Sequence, residues 1–368
     1  RPGGLFEDKA VTGTHWRGQV RRVRATLYRR LKPRGKQPSV IEVEEALNDV
    51  AIKWVASLAS AGIRARRGTG KDLYEWLLKW FNPAPEIADG DPDNLLEIAP
   101  YPGDEDLPFG YDLAERLTLT MPRSDNTSAT WWFDDLPHSI VTVQGLRRAP
   151  EVGHMTAERQ AGDHVFSLFD RLPEHTVMVM TLTVKPQDFT RNHIAQVKRA
   201  AVGDSAEAEL TREDAEAVER EMARGNKLYP LCMAFYVRGY DLKSLRANIN
   251  QLNALLLPNG LQPILLEADL LTLDSYIRNL PMAYDVSLDK INRRSRLVFS
   301  SHTANLLPLY GRSKGTGHPG LVFFNRGAEP LVFDPLHHED RKKNAHMLIL
   351  GPTGAGKSAL LVYLLQQM

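Results

Sequence analysis

The spacing of apolar positions along the middle of the chain predicts strands that alternate with helices. Apolar or β-branched runs typical of strands occupy residues 139–144, 176–184, 229–238 and 261–266. Apolar residues recur at helical spacing over residues 158–172, 187–202, 211–224, 242–256 and 270–280. Strands and helices in this order predict an α/β fold in which helices cover a mixed sheet.

The first part of the chain predicts two helices and a long loop. Ser39 and Glu42 have the spacing of a capping box. The apolar face expected for the helix that follows consists of Ile41, Ala46, Val50, Trp54 and Leu58. A second helix is predicted over residues 71–81, and the Pro-, Asp- and Gly-rich residues 82–108 predict an exposed loop.

The last part of the chain predicts a hairpin, a buried strand and a helix. The strands of the hairpin are expected at residues 321–325 and 331–334, followed by a buried strand at 346–350 and a helix from Ser358 to Gln367. Shifts in composition and pattern divide the chain into three predicted units, which are residues 1–125, 126–296 and 297–368.

Charge and composition exclude several classes of protein. The chain has 368 residues and a formal net charge of +1, so no overall field draws it to nucleic acid or to a membrane. Its one cysteine, Cys232, excludes an internal disulfide and is expected to be a small buried apolar residue. No apolar run reaches the ~18–20 residues that a transmembrane helix needs.

A basic segment from Arg17 to Lys36 holds nine Lys and Arg residues and no acid. We expect it to contain a strand, because residues 24–28 are rich in β-forming side chains. Its positive charge could contact DNA phosphates or anionic lipid headgroups. The favoured alternative is a solvated sheet face or a contact with an acidic neighbour such as Asp89 to Asp93.

The strongest chemical signal is the segment from Gly351 to Ser358, which reads Gly-Pro-Thr-Gly-Ala-Gly-Lys-Ser. It matches the phosphate-binding pattern Gly-x-x-x-x-Gly-Lys-Ser/Thr in full. An apolar run precedes it and a helical pattern follows it, which is the context that the motif requires. The sequence therefore predicts a nucleotide-binding loop for ATP and Mg²⁺.

Each residue type in this loop has a physical role. Glycine allows the backbone to wrap closely around phosphate oxygens, and the loop N–H groups with the helix N-terminus form an anion cradle. Lys357 is the candidate catalytic residue, reaching the β- and γ-phosphates, and the Ser358 hydroxyl is the candidate Mg²⁺ ligand. The predicted cofactor-binding residues are Gly351, Thr353, Gly354, Ala355, Gly356, Lys357, Ser358 and Ala359.

For three weaker patterns, a structural role is favoured over a second functional site. His337 to Asp340 with His346 could suggest a metal site, but the spacing favours a polar loop over the nucleotide entrance. Residues 311–317 look like a second phosphate loop but lack its Gly-Lys-Ser/Thr ending, so a flexible connection is expected. The aromatic residues Trp131 to Phe133 could form a docking patch, although packing beneath the sheet is favoured.

The approach to the phosphate loop resembles the conjugative-transfer ATPases of type IV secretion systems, the TraC/TrbE-like group. The resemblance rests on residues 304–311, 320–327, 330–334 and 344–358, with 276–281 as the exit from an N-terminal domain. Residues 1–8 and 16–30 look most like the versions carried by integrative and conjugative elements.

This resemblance implies an N-terminal α/β module followed by the first strands of a RecA-like motor. Residues 1–125 would be an N-terminal subdomain, 126–296 a channel-docking subdomain and 297–368 the start of the motor. It further implies a cytoplasmic ATPase at the inner membrane, a hexamer that meets type IV secretion channel proteins and drives DNA transfer and pilus assembly.

Two other functions stay open at the level of the sequence. One is a DNA-pumping ATPase of the FtsK/HerA kind, and the other is a non-enzymatic module that docks a motor to a secretion channel. The chain opens at Arg1 and ends ten residues after Ser358. We therefore expect a fragment that lacks later motor strands and does not itself hydrolyse ATP.

Overall fold

The computed structural model describes residues 5–9, 15–19, 23–28, 39–103, 113–157, 159–161, 164–309, 318–324, 330–338 and 346–367. The helices are α1 (Val40–Ser60), α2 (Gly70–Phe81), α3 (Leu95–Ile98), α4 (Leu113–Leu117), α5 (Gln187–Ala200), α6 (Ala206–Ala223), α7 (Leu242–Leu256), α8 (Thr272–Arg278), α9 (Val286–Asn292), α10 (Ser300–Leu306) and α11 (Lys357–Gln367). The strands are β1 (Leu5–Lys9), β2 (His15–Gln19), β3 (Arg123–Asp125), β4 (Thr130–Phe133), β5 (Leu136–Leu146), β6 (Arg159–Ala161), β7 (His164–Phe166), β8 (Val177–Leu182), β9 (Leu228–Arg238), β10 (Leu261–Pro263), β11 (Arg296–Phe299), β12 (Leu321–Phe324) and β13 (Pro330–Phe333).

The predicted α/β fold is confirmed, and its main sheet is built around β9. Strand β8 pairs with one stretch of β9, β5 pairs with its C-terminal half, and β11 pairs with its first four residues, all antiparallel. β4 and β10 extend the sheet beyond β5, and β3 pairs with β4. The predicted boundary between residues 296 and 297 falls within β11, so the sheet joins residues from both sides of it.

Successive residues of β9 point to opposite faces of the sheet, and both faces are covered. Met233, Phe235 and Val237 lie in the main hydrophobic core, which α7 completes with buried leucine and isoleucine side chains. Helix α7 was predicted with these bounds, and Asp241 caps it as expected by accepting from the Ser244 N–H at 2.6 Å. A strand buried on both faces reads as a continuous apolar run, as residues 231–237 do.

The opposite face of β9 carries an aromatic cluster. Tyr276 is fully buried there and lies 4.8 Å from the Tyr236 ring, centroid to centroid. Trp80 of α2 meets Tyr236 edge-on, and Phe133 of β4 completes the cluster. The predicted packing of Trp131 to Phe133 beneath the sheet is confirmed, since Phe133 is buried and the Trp131 indole N–H donates to the Leu273 carbonyl.

The loop predicted over residues 82–108 is folded in its described part, so this prediction was wrong. Asn82 is buried, and its side-chain amide donates to the carbonyls of Leu78 and Leu117. The short helix α3 buries Leu95 against α2. Buried apolar side chains such as Leu95 hold these turns against α2, so the segment is packed rather than exposed. Residues 104–108 lie outside the described residues.

The helix predicted over residues 158–172 was also wrong. The structure forms β6 and β7 there, paired antiparallel, and β7 pairs parallel with β2. Gly162-Asp163 separates the two strands in the sequence and is a hairpin signal that outweighs the apolar spacing. Residues 23–28 of the basic segment belong to no described strand, so the strand expected at residues 24–28 is not formed, whereas residues 17–19 at the start of the segment lie in β2.

The first helix follows the predicted capping box, with Ser39 and Glu42 bonded to each other's backbone N–H groups. Its apolar face is mostly exposed, including Ile41, Val50 and Trp54. Within the described ranges, no helix combines the length and apolarity needed to cross a membrane.

Leu252→Ala tests the main core. Leu252 is fully buried between α7 and the sheet, so the truncation leaves a cavity and should lower the free energy of unfolding by about 2–5 kcal/mol. Leu270→Ala is the matched control, because Leu270 is 95% exposed and the change should stay within about 0.5 kcal/mol. Equal effects of the two substitutions in urea denaturation would contradict this packing.

Acid sensitivity tests the burial of His138. Burial lowers the pKa of His138 from 6.5 to about 3, outweighing the bond to the Leu136 carbonyl. As the pH falls, His138 is protonated more readily in the unfolded chain than in the folded one. The contribution of His138 to the free energy of unfolding is therefore fully present above pH 6.5 and is lost as the pH drops toward 3. At pH 5, 1.5 units below 6.5, the loss is about 2 kcal/mol relative to pH 7.

The measurement is urea denaturation at pH 7 and pH 5. His138→Gln should flatten the difference in unfolding free energy, while His193→Gln on exposed α5 keeps the wild-type difference. A wild-type difference that persists in His138→Gln would show that His138 is not the group responsible.

Candidate phosphate-binding site

The predicted phosphate loop forms a turn between residues 346–350 and α11. Gly354 and Gly356 both adopt φ of +81°, a left-handed conformation that glycine reaches without strain. No atom lies within 4 Å of the position that a Cβ would take on either glycine. The loop therefore has the glycine backbone of an anion cradle and an open surface above it.

Lys357 is the first residue of α11, and its side chain folds back over the loop. Its ammonium donates to the Gly351 carbonyl at 2.7 Å and to the Pro352 carbonyl at 2.8 Å. These oxygens are acceptors of the kind that phosphate oxygens would also supply. A change in the conformation of the Lys357 side chain alone would therefore bring its ammonium to a phosphate bound in the loop.

The helix behind the loop supplies the rest of the cradle. Helix α11 has eleven residues, and the N–H groups of Lys357, Ser358 and Ala359 lie in its first turn, where no helical carbonyl precedes them. The Ser358 side chain is exposed, so its hydroxyl is accessible to a hydrated Mg²⁺. Thr353 and Ala355 are exposed in the turn, and Ala355 N–H bonds to the Pro352 carbonyl at 3.2 Å.

These features fit ATP and Mg²⁺ in chemistry. The backbone N–H groups and the helix N-terminus suit polyphosphate oxygens, and Lys357 adds a positive charge at the same place. A hydroxyl oxygen is a ligand that Mg²⁺ accepts alongside waters and phosphate oxygens. ATP with Mg²⁺ would supply the reactive phosphoryl group, and the chain's own residues would bind and orient it.

The hairpin of β12 and β13 supports α11. Leu364 is buried, the Tyr363 hydroxyl donates to the Val322 carbonyl at 3.2 Å, and the Tyr363 ring meets the Phe323 ring at 5.5 Å. The predicted hairpin is confirmed in its two strands, while its turn lies outside the described residues.

The strand predicted at residues 346–350 is not formed. These residues are not paired with any described strand, and Leu348 and Leu350 are 80% and 81% exposed. A strand needs a neighbour to bond its backbone and cover its side chains, and no described strand lies beside this segment. Helix α11 likewise exposes Leu361 and Leu365. The apolar sequence is present, but its partner surface is not among the described residues.

Among the described residues, the other candidates form no second site. The described residues contain no group of three metal-ligating side chains, and His337 stacks on His318 with ring centroids 4.1 Å apart. Glu339, Asp340 and residues 311–317 lie outside the described residues. Cys232 is buried as predicted, and burial raises the pKa of its thiol to about 12, which keeps it unreactive.

One basic loop was not predicted from the sequence. Arg64, Arg66 and Arg67 lie within four residues of each other and are exposed between α1 and α2. The density of arginine in this short stretch is the sequence signal that would have predicted the basic loop.

A family model described as TraC protein matches residues 1–284. The matched region includes every strand of the main sheet except β11 and ends before the phosphate loop. No curated protein matches the chain.

Proposed function

Because the chain belongs to the TraC protein family of conjugative transfer, we propose that its phosphate loop binds ATP with Mg²⁺ for an ATPase that energises this transfer. The observation that carries the proposal is the loop itself, in which two left-handed glycines precede a helix that begins at Lys357. The family match supplies the biological setting, and the loop supplies the chemistry.

The proposed roles follow from the position of each group. The N–H groups from Thr353 to Ala359 hold the phosphates, and Ser358 contributes a Mg²⁺ ligand. Lys357 exchanges its two carbonyl partners for β- and γ-phosphate oxygens and stabilises the charge that develops during transfer. Its donors remain satisfied throughout, because one set of oxygen acceptors replaces another.

Hydrolysis also requires a carboxylate that holds the metal and a group that positions water. Neither group is assigned among the described residues. Residues 1–368 alone are proposed to bind nucleotide weakly and not to hydrolyse it.

The region before residue 297 is proposed to dock the motor to type IV secretion channel proteins at the cytoplasmic side of the inner membrane. The family match, which falls on this region and not on the phosphate loop, supports a role beyond nucleotide binding. Pilus assembly and a homo-hexameric ring belong to the same proposal.

Lys357→Ala in the full-length protein tests the assignment of the loop. Removing the ammonium should lower the rate of phosphate release by roughly a hundredfold or more, because the transferred phosphoryl group loses a charged donor. Lys227→Ala, at an exposed lysine remote from the loop in sequence, should keep the wild-type rate.

Two results would contradict the proposal. One is ATP turnover in the full-length protein that Lys357→Ala leaves intact, which would place the reaction at another site. The other is turnover by residues 1–368 alone, or tight ATP binding to them in titration calorimetry, which would show that the loop needs no completing elements.

A further inference from the structure

Two basic segments that are separated in the sequence meet on one face of α2. The Arg24 guanidinium lies 4.7 Å from the centre of the Trp76 ring. Arg66 holds the Asp72 carboxylate with two bonds of 2.8 and 2.6 Å. Asp72 and Trp76 are four residues apart on the same helix and therefore share a face. The segment that contains Arg24 and the loop that contains Arg66 are thus neighbours in space.

The contact of Arg66 with Asp72 anchors this loop. Asp72 also accepts from the Thr69 N–H at 2.8 Å in the capping box of α2. Arg66 and these cap bonds hold the pKa of Asp72 well below its usual range, so the carboxylate stays ionised and cancels the charge of Arg66. The anchor fixes the loop at the start of α2 without neutralising the other arginines.

Arg64 and Arg67 lie on the same loop as Arg66. Both are exposed, and Arg67 donates to the neutral side-chain oxygen of Asn48. In the part of the chain that the structure describes, neither forms an ion pair. Of the acidic residues considered as neighbours of the basic segment, Asp93 pairs with Lys79.

We propose that Arg24, Arg64 and Arg67, together with Trp76 and hereafter called the arginine face, bind the sugar-phosphate backbone of single-stranded nucleic acid. Arg24 belongs to a segment with nine Lys and Arg residues and no acid, seven of them Arg. Arginine presents a planar fork that fits phosphate oxygens in pairs, which lysine does not.

Aromatic side chains stand among these cations, as in surfaces that hold single strands. The Trp76 ring is covered by Arg24, and Tyr28, 41% exposed, follows four residues later in the same segment. Bases can stack on an exposed ring such as that of Tyr28 whatever their identity, so the binding is expected to be independent of sequence.

The surroundings favour a strand over an anionic membrane. Asn48, the partner of Arg67, lies on α1 among the exposed acids Glu44, Glu45 and Asp49. A flat anionic bilayer placed against Arg67 would also meet these carboxylates and be repelled. A flexible single strand can contact the arginines near α2 without lying flat against α1.

The test measures fluorescence anisotropy of a labelled oligothymidine titrated with residues 1–368 at several salt concentrations. Arg64→Ala combined with Arg67→Ala should weaken binding roughly tenfold and lower the slope of log K against log salt by about 1.4, because each lost single-strand contact contributes about 0.7. Arg199→Ala combined with Arg246→Ala removes the same charge from exposed positions on α5 and α7 and should leave both values unchanged.

Lys227→Ala, at an exposed lysine outside both the arginine face and the phosphate loop, should also leave binding unchanged. The inference is overturned if the two double variants bind alike, or if the wild type does not bind the oligonucleotide. It is likewise overturned if the arginine variant, with a wild-type melting temperature, loses only binding to phosphatidylserine vesicles or only self-association in sedimentation. Those outcomes would assign the face to a membrane or to a second copy.

Discussion

The backbone of β9 is the constraint on which the rest of the structure depends. It bonds β8 along one edge and both β5 and β11 along the other, so few of its polar groups are left for solvent. Its side chains then supply two cores, one against α7 and one against the aromatic cluster around Tyr276. A single strand thereby ties α2, near the beginning of the chain, to β11, near residue 300.

This arrangement explains how sites far apart in the sequence share one framework. Trp80 of α2 packs on the aromatic face, and Trp76, one turn earlier, meets Arg24 on the outside. Beyond β11, the chain continues into α10, whose Asn305 side chain donates to the Pro150 carbonyl next to the same sheet. The basic surface is therefore held by the main sheet, whereas the phosphate loop rests on its own hairpin.

Sequence reasoning succeeded where local signals and tertiary packing agree. Helix α7 has a capping aspartate and an apolar stripe that the sheet requires, and β9 is a long apolar run buried on both faces. It failed at residues 158–172, where pairing with β2 overrides helical spacing, and at residues 82–103, where buried Asn82 organises a segment that composition marks as a loop.

The candidate phosphate-binding site could likewise be predicted only in part. The glycines at 354 and 356 could be predicted, because only a few residue types tolerate the backbone that a phosphate loop needs. The contacts of Lys357 with two carbonyls could not, since they depend on side-chain geometry within the turn. The placement of Arg24 on the same helix that Arg66 contacts also required the fold, because about forty residues separate the two arginines.

We propose that nucleotide binds at the phosphate loop and not within residues 1–284, which the family model matches. Hydrogen–deuterium exchange on the full-length protein, with and without MgATP, tests this proposal. We expect slower exchange at the amides from Thr353 to Ala359, while those of β9 stay unchanged. Protection confined to other segments, with the loop amides unaffected, would contradict it.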